Sequence, residues 1–362
     1  MMRRSLDLAA RGRGMTSPNP MVGAVIVDGE GSVIGEGFTQ PFPGNHAERQ
    51  ALDQVAGGRD LAGATLYVTL EPCSHHGNNP PCTDSIVASG IGRVVVAMRD
   101  PNPVVDGRGL KALREAGIEV NVGLLEAEAR RLNEDWLHFI RTGRPFVTVK
   151  VAQSLDGYIA LPDGESQWIT GELARTEVHR LRAAADAVLV GMRTALADDP
   201  ALTIRHGVVG RPPFRVVLDR NLALPPTLKL FTDSDVERTI VMIGQEFDDA
   251  ERANELRAAG IRVEALETEG NPDNLRLDRV IARLGTLDIA SLLVEGGAAV
   301  IDTMIAEDLA DKLILFLGPK LLGHGLKSFG RLAATSMASA RTLTINRSET
   351  IGEDVMIEAY LK

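Results

Sequence analysis

Three side chains that bind soft-to-borderline metals stand in the first quarter of the chain: His46, Cys73 and Cys82. One imidazole and two thiolates are the ligand set of a catalytic zinc, which keeps its fourth tetrahedral position for water; a structural zinc wants four protein ligands. Glu48 follows in the first turn of the helix that His46-Ala47-Glu48 opens. A carboxylate beside such a metal can shuttle protons, whereas a purely structural site has no use for one. Cys82, directly after Pro81, also reads as a helix start, where the helix dipole favours the thiolate and lowers the cost of deprotonating it.

This arrangement is closely related to the zinc-deaminase signature, H-x-E with P-C-x-x-C, whose glutamate carries protons and is not a ligand. Here eight residues separate Cys73 from Cys82, Ser74-His75-His76-Gly77-Asn78-Asn79-Pro80-Pro81. The insert can still bring both sulfurs to one metal. His75 and His76 stand open as substrate contacts, competing ligands or solvated loop residues.

The second half carries fainter signals. No G-x-G-x-x-G follows a strand, so a Rossmann dinucleotide site is unsupported. Val294-Glu295-Gly296-Gly297 reads as a strand end running into a helix, where bare backbone N–H groups can hold a phosphate, although a Gly-Gly at that place is more often a tight turn. Asp198-Asp199-Pro200 reads as a turn rather than a second metal site. His138, His179, His206 and His324 are scattered and receive no role.

The elements that must position these residues follow from periodicity. Val22–Thr39 reads as a hairpin around Asp28-Gly29-Glu30-Gly31, and a short amphipathic helix precedes it, ending at Gly12 or Gly14. Next come a helix from His46 to about Val55, a strand Thr65–Leu70, a helix after Pro81, a strand Arg93–Met98, a helix Leu110–Ala116 and a strand Ile118–Val122. One helix is expected over Glu126–Ile140, broken by Thr142-Gly143-Arg144-Pro145. That break sets the expected domain boundary, giving residues 1–143 and 144–362. After it strand and helix alternate again, from Phe146–Ala152 through helices Glu172–Ala185, Asp249–Ala259, Leu275–Leu284 and Ala298–Ala306. Closing antiparallel strands are expected at Thr342–Asn346 and Val355–Leu361. Such alternation argues for two α/β domains with helix-covered sheets.

Composition narrows the function classes. Lys+Arg 39 against Asp+Glu 49, a net charge of −10, lacks the basic surplus that nucleic acid demands. No uncharged apolar run approaches the ~18 residues of a membrane span. Two cysteines in 362 residues exclude a disulfide scaffold and fit a reducing, cytoplasmic setting.

Taken in order, Thr16-Ser-Pro-Asn19-Pro20-Met-Val22-Gly23, His46-Ala-Glu48, Glu71-Pro-Cys73-Ser-His75-His76-Gly, Pro80-Pro-Cys82, Asp100-Pro-Asn102-Pro and Gly107-Arg-Gly109 resemble the RibD family of bifunctional riboflavin-biosynthesis deaminase/reductases. So do Lys150-Val-Ala152-Gln-Ser154-Leu155-Asp156-Gly157, Gly164-Glu-Ser166-Gln-Trp168-Ile-Thr170, Ala197-Asp198-Asp199-Pro200-Ala-Leu202-Thr and Glu295-Gly-Gly297 in the second half. The resemblance covers nearly the whole chain. It implies a cytidine-deaminase-like three-layer α/β/α domain followed by a dihydrofolate-reductase-like α/β domain.

It further implies one zinc per chain on His46, Cys73 and Cys82, Glu48 as the catalytic proton shuttle, and Asn19 and His75 facing the deaminase substrate. In the reductase half it implies NADPH on Ala152, Trp168, Thr194, Asp198 and Gly297, and substrate on Ser166, Arg182, Leu202, Arg205 and Glu295. The implied substrate is a small phosphoribosylaminopyrimidine, first deaminated and then reduced from ribosyl to ribityl, by a cytoplasmic homodimer or homotetramer with no nucleic-acid or membrane partner. Asn78 stands where the family usually has Lys or Arg, so a weaker grip on the ribose phosphate is expected there. The alternatives are a zinc deaminase for another nucleobase with a non-catalytic reductase-like half, and a binding protein with a structural zinc.

Overall fold

A computed structural model of the chain describes residues 1–361 except 42, 56–59, 76–79, 104, 269–273, 331 and 333. The chain divides into two compact units, Met1–Gly143 and Arg144–Lys362.

The first unit runs α1 (Met2–Ala10), β1 (Gly23–Val27), β2 (Val33–Phe38), α2 (Ala47–Asp53), β3 (Thr65–Leu70), α3 (Cys82–Ser89), β4 (Arg93–Met98), α4 (Arg108–Glu115), β5 (Glu119–Val122), α5 (Glu126–Leu132) and α6 (Glu134–Thr142). Its sheet has the order β2-β1-β3-β4-β5. The hairpin β1–β2 and the pair β1–β3 are antiparallel, whereas β3–β4 and β4–β5 are parallel. Every residue of β1 and all of β4 after Arg93 are buried. A strand buried at consecutive positions is covered on both faces, which makes this unit three-layered.

The single helix expected over Glu126–Ile140 is two. Asn133, completely buried, accepts from the Met21 N–H through Oδ1 at 2.7 Å and donates through Nδ2 to the Met21 carbonyl at 2.9 Å. These bonds to a segment 112 residues away hold Asn133 at φ −109°, ψ 28°, off the helical path.

The second unit runs β6 (Phe146–Ser154), β7 (Tyr158–Ala160), α7 (Glu172–Ala184), β8 (Ala187–Gly191), α8 (Met192–Asp198), β9 (Phe214–Leu218), α9 (Lys229–Thr232), β10 (Thr239–Gly244), α10 (Glu251–Ala258), β11 (Arg262–Leu266), α11 (Leu277–Gly285), β12 (Ser291–Val294), α12 (Ala298–Ala306), β13 (Lys312–Gly318), β14 (Leu326–Lys327), β15 (Leu343–Ile351) and β16 (Asp354–Leu361). Its nine-stranded sheet has the order β11-β10-β9-β8-β12-β6-β13-β16-β15, parallel up to β13 and antiparallel over the closing pair.

Period-2 alternation sorts the parallel strands onto two cores. Ala187, Leu189, Val216, Ile240 and Met242 join the core with α11 and α12, while Val188, Val190, Val217, Val241 and Ile243 join the one with α9 and α10. In α11 the buried residues Leu277, Val280, Ile281 and Leu284 follow the i, i+3, i+4, i+7 stripe of a helix seated on a sheet. Among the described residues no helix is long and apolar enough to cross a membrane.

Candidate active sites

The three predicted metal ligands converge. His46 caps α2, Cys82 opens α3, and Cys73 lies in the stretch leaving β3. His46 Nδ1 is 3.2 Å from Cys82 Sγ and 3.6 Å from Cys73 Sγ, and the ligand atoms of all three lie within 4.8 Å of one another. The Cys82 N–H also points at Cys73 Sγ, 3.3 Å away. Among the described residues this is the one group of three or more His, Cys, Asp or Glu side chains arranged to hold a metal. The set fits zinc, because soft thiolates with one imidazole select it over harder cations.

Proton affinities in the group are strongly perturbed. The Cys82 thiol donates to Cys73 and holds that sulfur well below the usual thiol range, while Cys82 itself is pushed up. Glu48, 4% exposed, is pushed up to about 7, first by burial and then by the neighbouring Cys73. A carboxyl that exchanges its proton near neutrality suits acid–base work.

Glu71 fixes the exit of β3. Its buried carboxylate accepts four backbone N–H groups, from Asp100 (3.2 Å), Gly107 (3.1 Å), Gly109 (2.9 Å) and Leu110 (3.2 Å). This latch ties the residue two before Cys73 to the start of α4. Asp100, pushed up to about 6 by burial and then by Glu71 and Cys73, belongs to the same corner. Sequence reading gave neither acid a role, since backbone donors leave no side-chain signal.

Asn19 lies half-buried in the turn that its N–H closes on the Thr16 carbonyl, and His75 is exposed two residues beyond Cys73. His76 and Asn78 lie outside the described residues, and with them the expectation of a weakened phosphate grip. Replacing both Cys73 and Cys82 by Ser is expected to abolish zinc binding, measured by metal analysis of the purified chain; full zinc occupancy in that double variant contradicts the ligand assignment.

In the second unit all ten reductase residues singled out from the sequence line one cleft of about 1620 Å³. Ala152 comes from β6, Thr194 and Asp198 from α8, Arg182 from α7, and Glu295 and Gly297 from the turn between β12 and α12. Ser166, Trp168, Leu202 and Arg205 come from loops. The cleft opens where parallel strands end at their carboxyl side, the usual ligand position in such sheets. Gly297 caps α12 at φ 78°, and a Cβ there would sit 3.2 Å from Thr194 Oγ1. Trp168 is 57% exposed, with the Arg175 guanidinium stacked 4.5 Å from its ring centre.

The floor of the cleft is a buried charge network. Arg182 donates through Nε to Glu295 Oε1 (2.5 Å) and through Nη2 to Oε2 (2.9 Å), a bidentate pair. A third donor, Nη1, reaches the Thr203 carbonyl at 3.0 Å. Lys150 Nζ stands 3.8 Å from Glu295 Oε2. Burial alone would raise the Glu295 carboxyl, yet Arg182 and Lys150 outweigh it and bring it down to about 2. Burial holds Lys150 below the usual lysine value. The sequence alone assigns no role to Lys150, His179 or His206, which also line the cleft.

The chain is similar to known proteins over its full length. Residues 1–98 match the family model for the cytidine and deoxycytidylate deaminase zinc-binding region, and residues 145–357 match that for the RibD C-terminal domain. The riboflavin biosynthesis protein RibD of Aquifex aeolicus is 42% identical over 98% of this chain and 96% of that one; the Escherichia coli protein is 40% identical over 98% and 97%. Among solved structures, Acinetobacter baumannii RibD superposes with a TM-score of 0.89 at 35% identity, covering 100% of this chain and 98% of that one. A diaminohydroxyphosphoribosylaminopyrimidine deaminase/5-amino-6-(5-phosphoribosylamino)uracil reductase from Thermotoga maritima superposes with a TM-score of 0.87 at 38% identity, covering 100% and 97%.

Proposed function

The chain belongs to the RibD family, and from that premise we propose how its residues divide the work. It is a bifunctional enzyme of riboflavin biosynthesis, a zinc-binding deaminase joined to an NADPH-dependent pyrimidine reductase. In the proposal residues 1–143 carry the deaminase and residues 144–362 the reductase. The substrate is 2,5-diamino-6-(5-phosphoribosylamino)pyrimidin-4(3H)-one. The name of the Thermotoga relative orders the steps, because its reductase acts on a uracil, which is what deamination of the diaminopyrimidine yields.

For deamination, His46, Cys73 and Cys82 would hold the zinc, which when bound supplies Lewis-acid activation of water at neutral pH. Glu48 takes the proton from the attacking water and delivers it to the departing amine. Its burial raises its proton affinity, which suits a group that must both take and give a proton. Asn19 and His75 orient the pyrimidine. The observation that supports this half is the convergence of the three ligand atoms within 4.8 Å on the first turn that carries Glu48.

For reduction, Ala152, Trp168, Thr194, Asp198 and Gly297 hold NADPH, which supplies the hydride for C1 of the ribosyl group. Ser166, Leu202 and Glu295 orient the substrate. The two arginines differ in task. Arg182 is committed to Glu295 and Thr203, whereas the exposed Arg205 guanidinium makes no hydrogen bond or ion pair among the described residues. Of the two, Arg205 is therefore the one whose guanidinium is open to the substrate's phosphate, which it would take as a fixed-charge fork. A cytoplasmic homodimer or homotetramer, with no nucleic-acid or membrane partner, completes the proposal; the two free thiols suit a reducing compartment.

Separately expressed halves test this division. Residues 1–143 are expected to bind zinc and release ammonia from the diaminopyrimidine without consuming NADPH, and residues 144–362 to oxidise NADPH only with the deaminated product. A folded second half that binds no NADPH in a fluorescence titration contradicts the assignment of the cleft.

A further inference from the structure

His179 sits on α7 one turn before Arg182, is 5% exposed, and takes no part in the roles assigned above. The Arg205 backbone N lies 3.1 Å from His179 Nδ1. Accepting that amide hydrogen at Nδ1 requires the tautomer protonated on Nε2. The Thr203 carbonyl, also 3.1 Å from Nδ1, is satisfied instead by the Nη1 of Arg182. Burial, followed by Arg182, His206 and Arg205, brings the His179 imidazolium down to about 4, so the ring is neutral near pH 7 and one of its nitrogens is free to accept.

The loop that these bonds reach holds two residues in a conformation that needs support. Leu202 at φ 52° and His206 at φ 58° are both in the left-handed region, which a non-glycine residue adopts only against steric strain. Such a conformation persists when the surroundings impose it. Here α7 imposes it from two successive turns: Arg182 takes the Thr203 carbonyl and His179 takes the Arg205 N–H. The His206 ring, 4.9 Å from that of His179 and tilted by 31°, closes the far side.

We propose that His179 is a positioning residue for the reduction, fixing the Arg205 backbone so that its guanidinium meets the phosphate monoester of the substrate. This rests on the reading that Arg205 binds that phosphate. Leaving a half-buried N–H without its acceptor costs at the low end of about 1–3 kcal/mol, and 1.4 kcal/mol is tenfold in affinity.

The test uses the intact, zinc-loaded chain with 5-amino-6-(5-phosphoribosylamino)uracil and NADPH. His179→Leu is expected to raise the KM for the uracil substrate on the order of tenfold, with kcat and the KM for NADPH nearly unchanged. His179→Asn, whose Oδ1 stands near the place of Nδ1, is expected to recover most of the loss. Deamination by the same samples should be unaltered in both variants. An unchanged substrate KM in His179→Leu, an Asn variant as impaired as the Leu variant, or a loss confined to kcat overturns the proposal.

Arg205→Ala separates the two levels. If it leaves the substrate KM unchanged, the phosphate reading fails and the proposal with it; if it raises KM while His179→Leu does not, only the positioning role fails. Should the Leu variant not fold, nitrogen NMR of the wild-type imidazole decides. A hydrogen on Nε2 with an accepting Nδ1 supports the proposal, and a hydrogen on Nδ1 overturns it.

Discussion

Replacing Glu48 by Gln is expected to slow ammonia release on the order of 100- to 10,000-fold, the range that general acid–base groups contribute, while zinc stays bound. Gln has nearly the same shape, so the packing around a side chain only 4% exposed survives. Its amide can neither take the proton of the attacking water nor hand one to the leaving amine. His46, Cys73 and Cys82 remain in place to bind metal, because Glu48 stands outside the ligand group. Reduction of already deaminated substrate should be untouched, which gives the variant an internal control. Ammonia assay and metal analysis on one sample decide the matter; full zinc with near-normal deamination contradicts the proton-shuttle role.

Glu295→Gln is the matching experiment in the reductase half. The carboxylate neutralises Arg182 through two hydrogen bonds and faces Lys150 at 3.8 Å. Removing it leaves buried cations without their partner, a change that costs about 3–5 kcal/mol in other buried pairs. The pH dependence has a definite sign. The folded carboxyl is held at about 2, below its ordinary 4.5. Its stabilisation is therefore fully present above about pH 4.5, and it is lost as pH falls toward 2. Urea unfolding of the second unit should show the Gln variant on the order of 3 kcal/mol less stable at neutral pH, with the gap closing in acid. Reduction should fall with it. A Gln variant as stable and as active as wild type would mean that Arg182 and Lys150 are balanced by other groups.

How far the sequence could be read depended on whether a role is tied to a residue type. Zinc restricts its ligands to a few side chains, so the two cysteines and His46 stood out, although His75 and His76 stayed open as competing ligands; Glu48 followed by its place in the helix turn. The parallel cores were equally legible, since runs such as 187–190 and 240–243 are apolar at every position. Roles in the reductase cleft were not, because Arg, Glu and Ser occur everywhere and only the family resemblance picked out Arg182, Arg205 and Glu295. What distant backbone decides was hidden altogether. Asn133 breaks a helix by bonding to Met21, Glu71 collects its donors from residues 100–110, and His179 gains its function from the Arg205 N–H. None of these partners is adjacent in the chain, and none has a side-chain signature. The short α8, carrying Thr194 and Asp198, escaped for a related reason: seven residues are too few for a periodic stripe to stand out.

Stepwise turnover by the intact chain tests the central claim, that two sites on one polypeptide act in sequence on one phosphoribosylaminopyrimidine. The diaminopyrimidine is supplied first without NADPH, and ammonia and cofactor absorbance are followed after NADPH is added. One ammonia per substrate before the addition, then one NADPH oxidised per deaminated product, is the predicted result. Oxidation of NADPH by undeaminated substrate, or ammonia release that waits for NADPH, would contradict it.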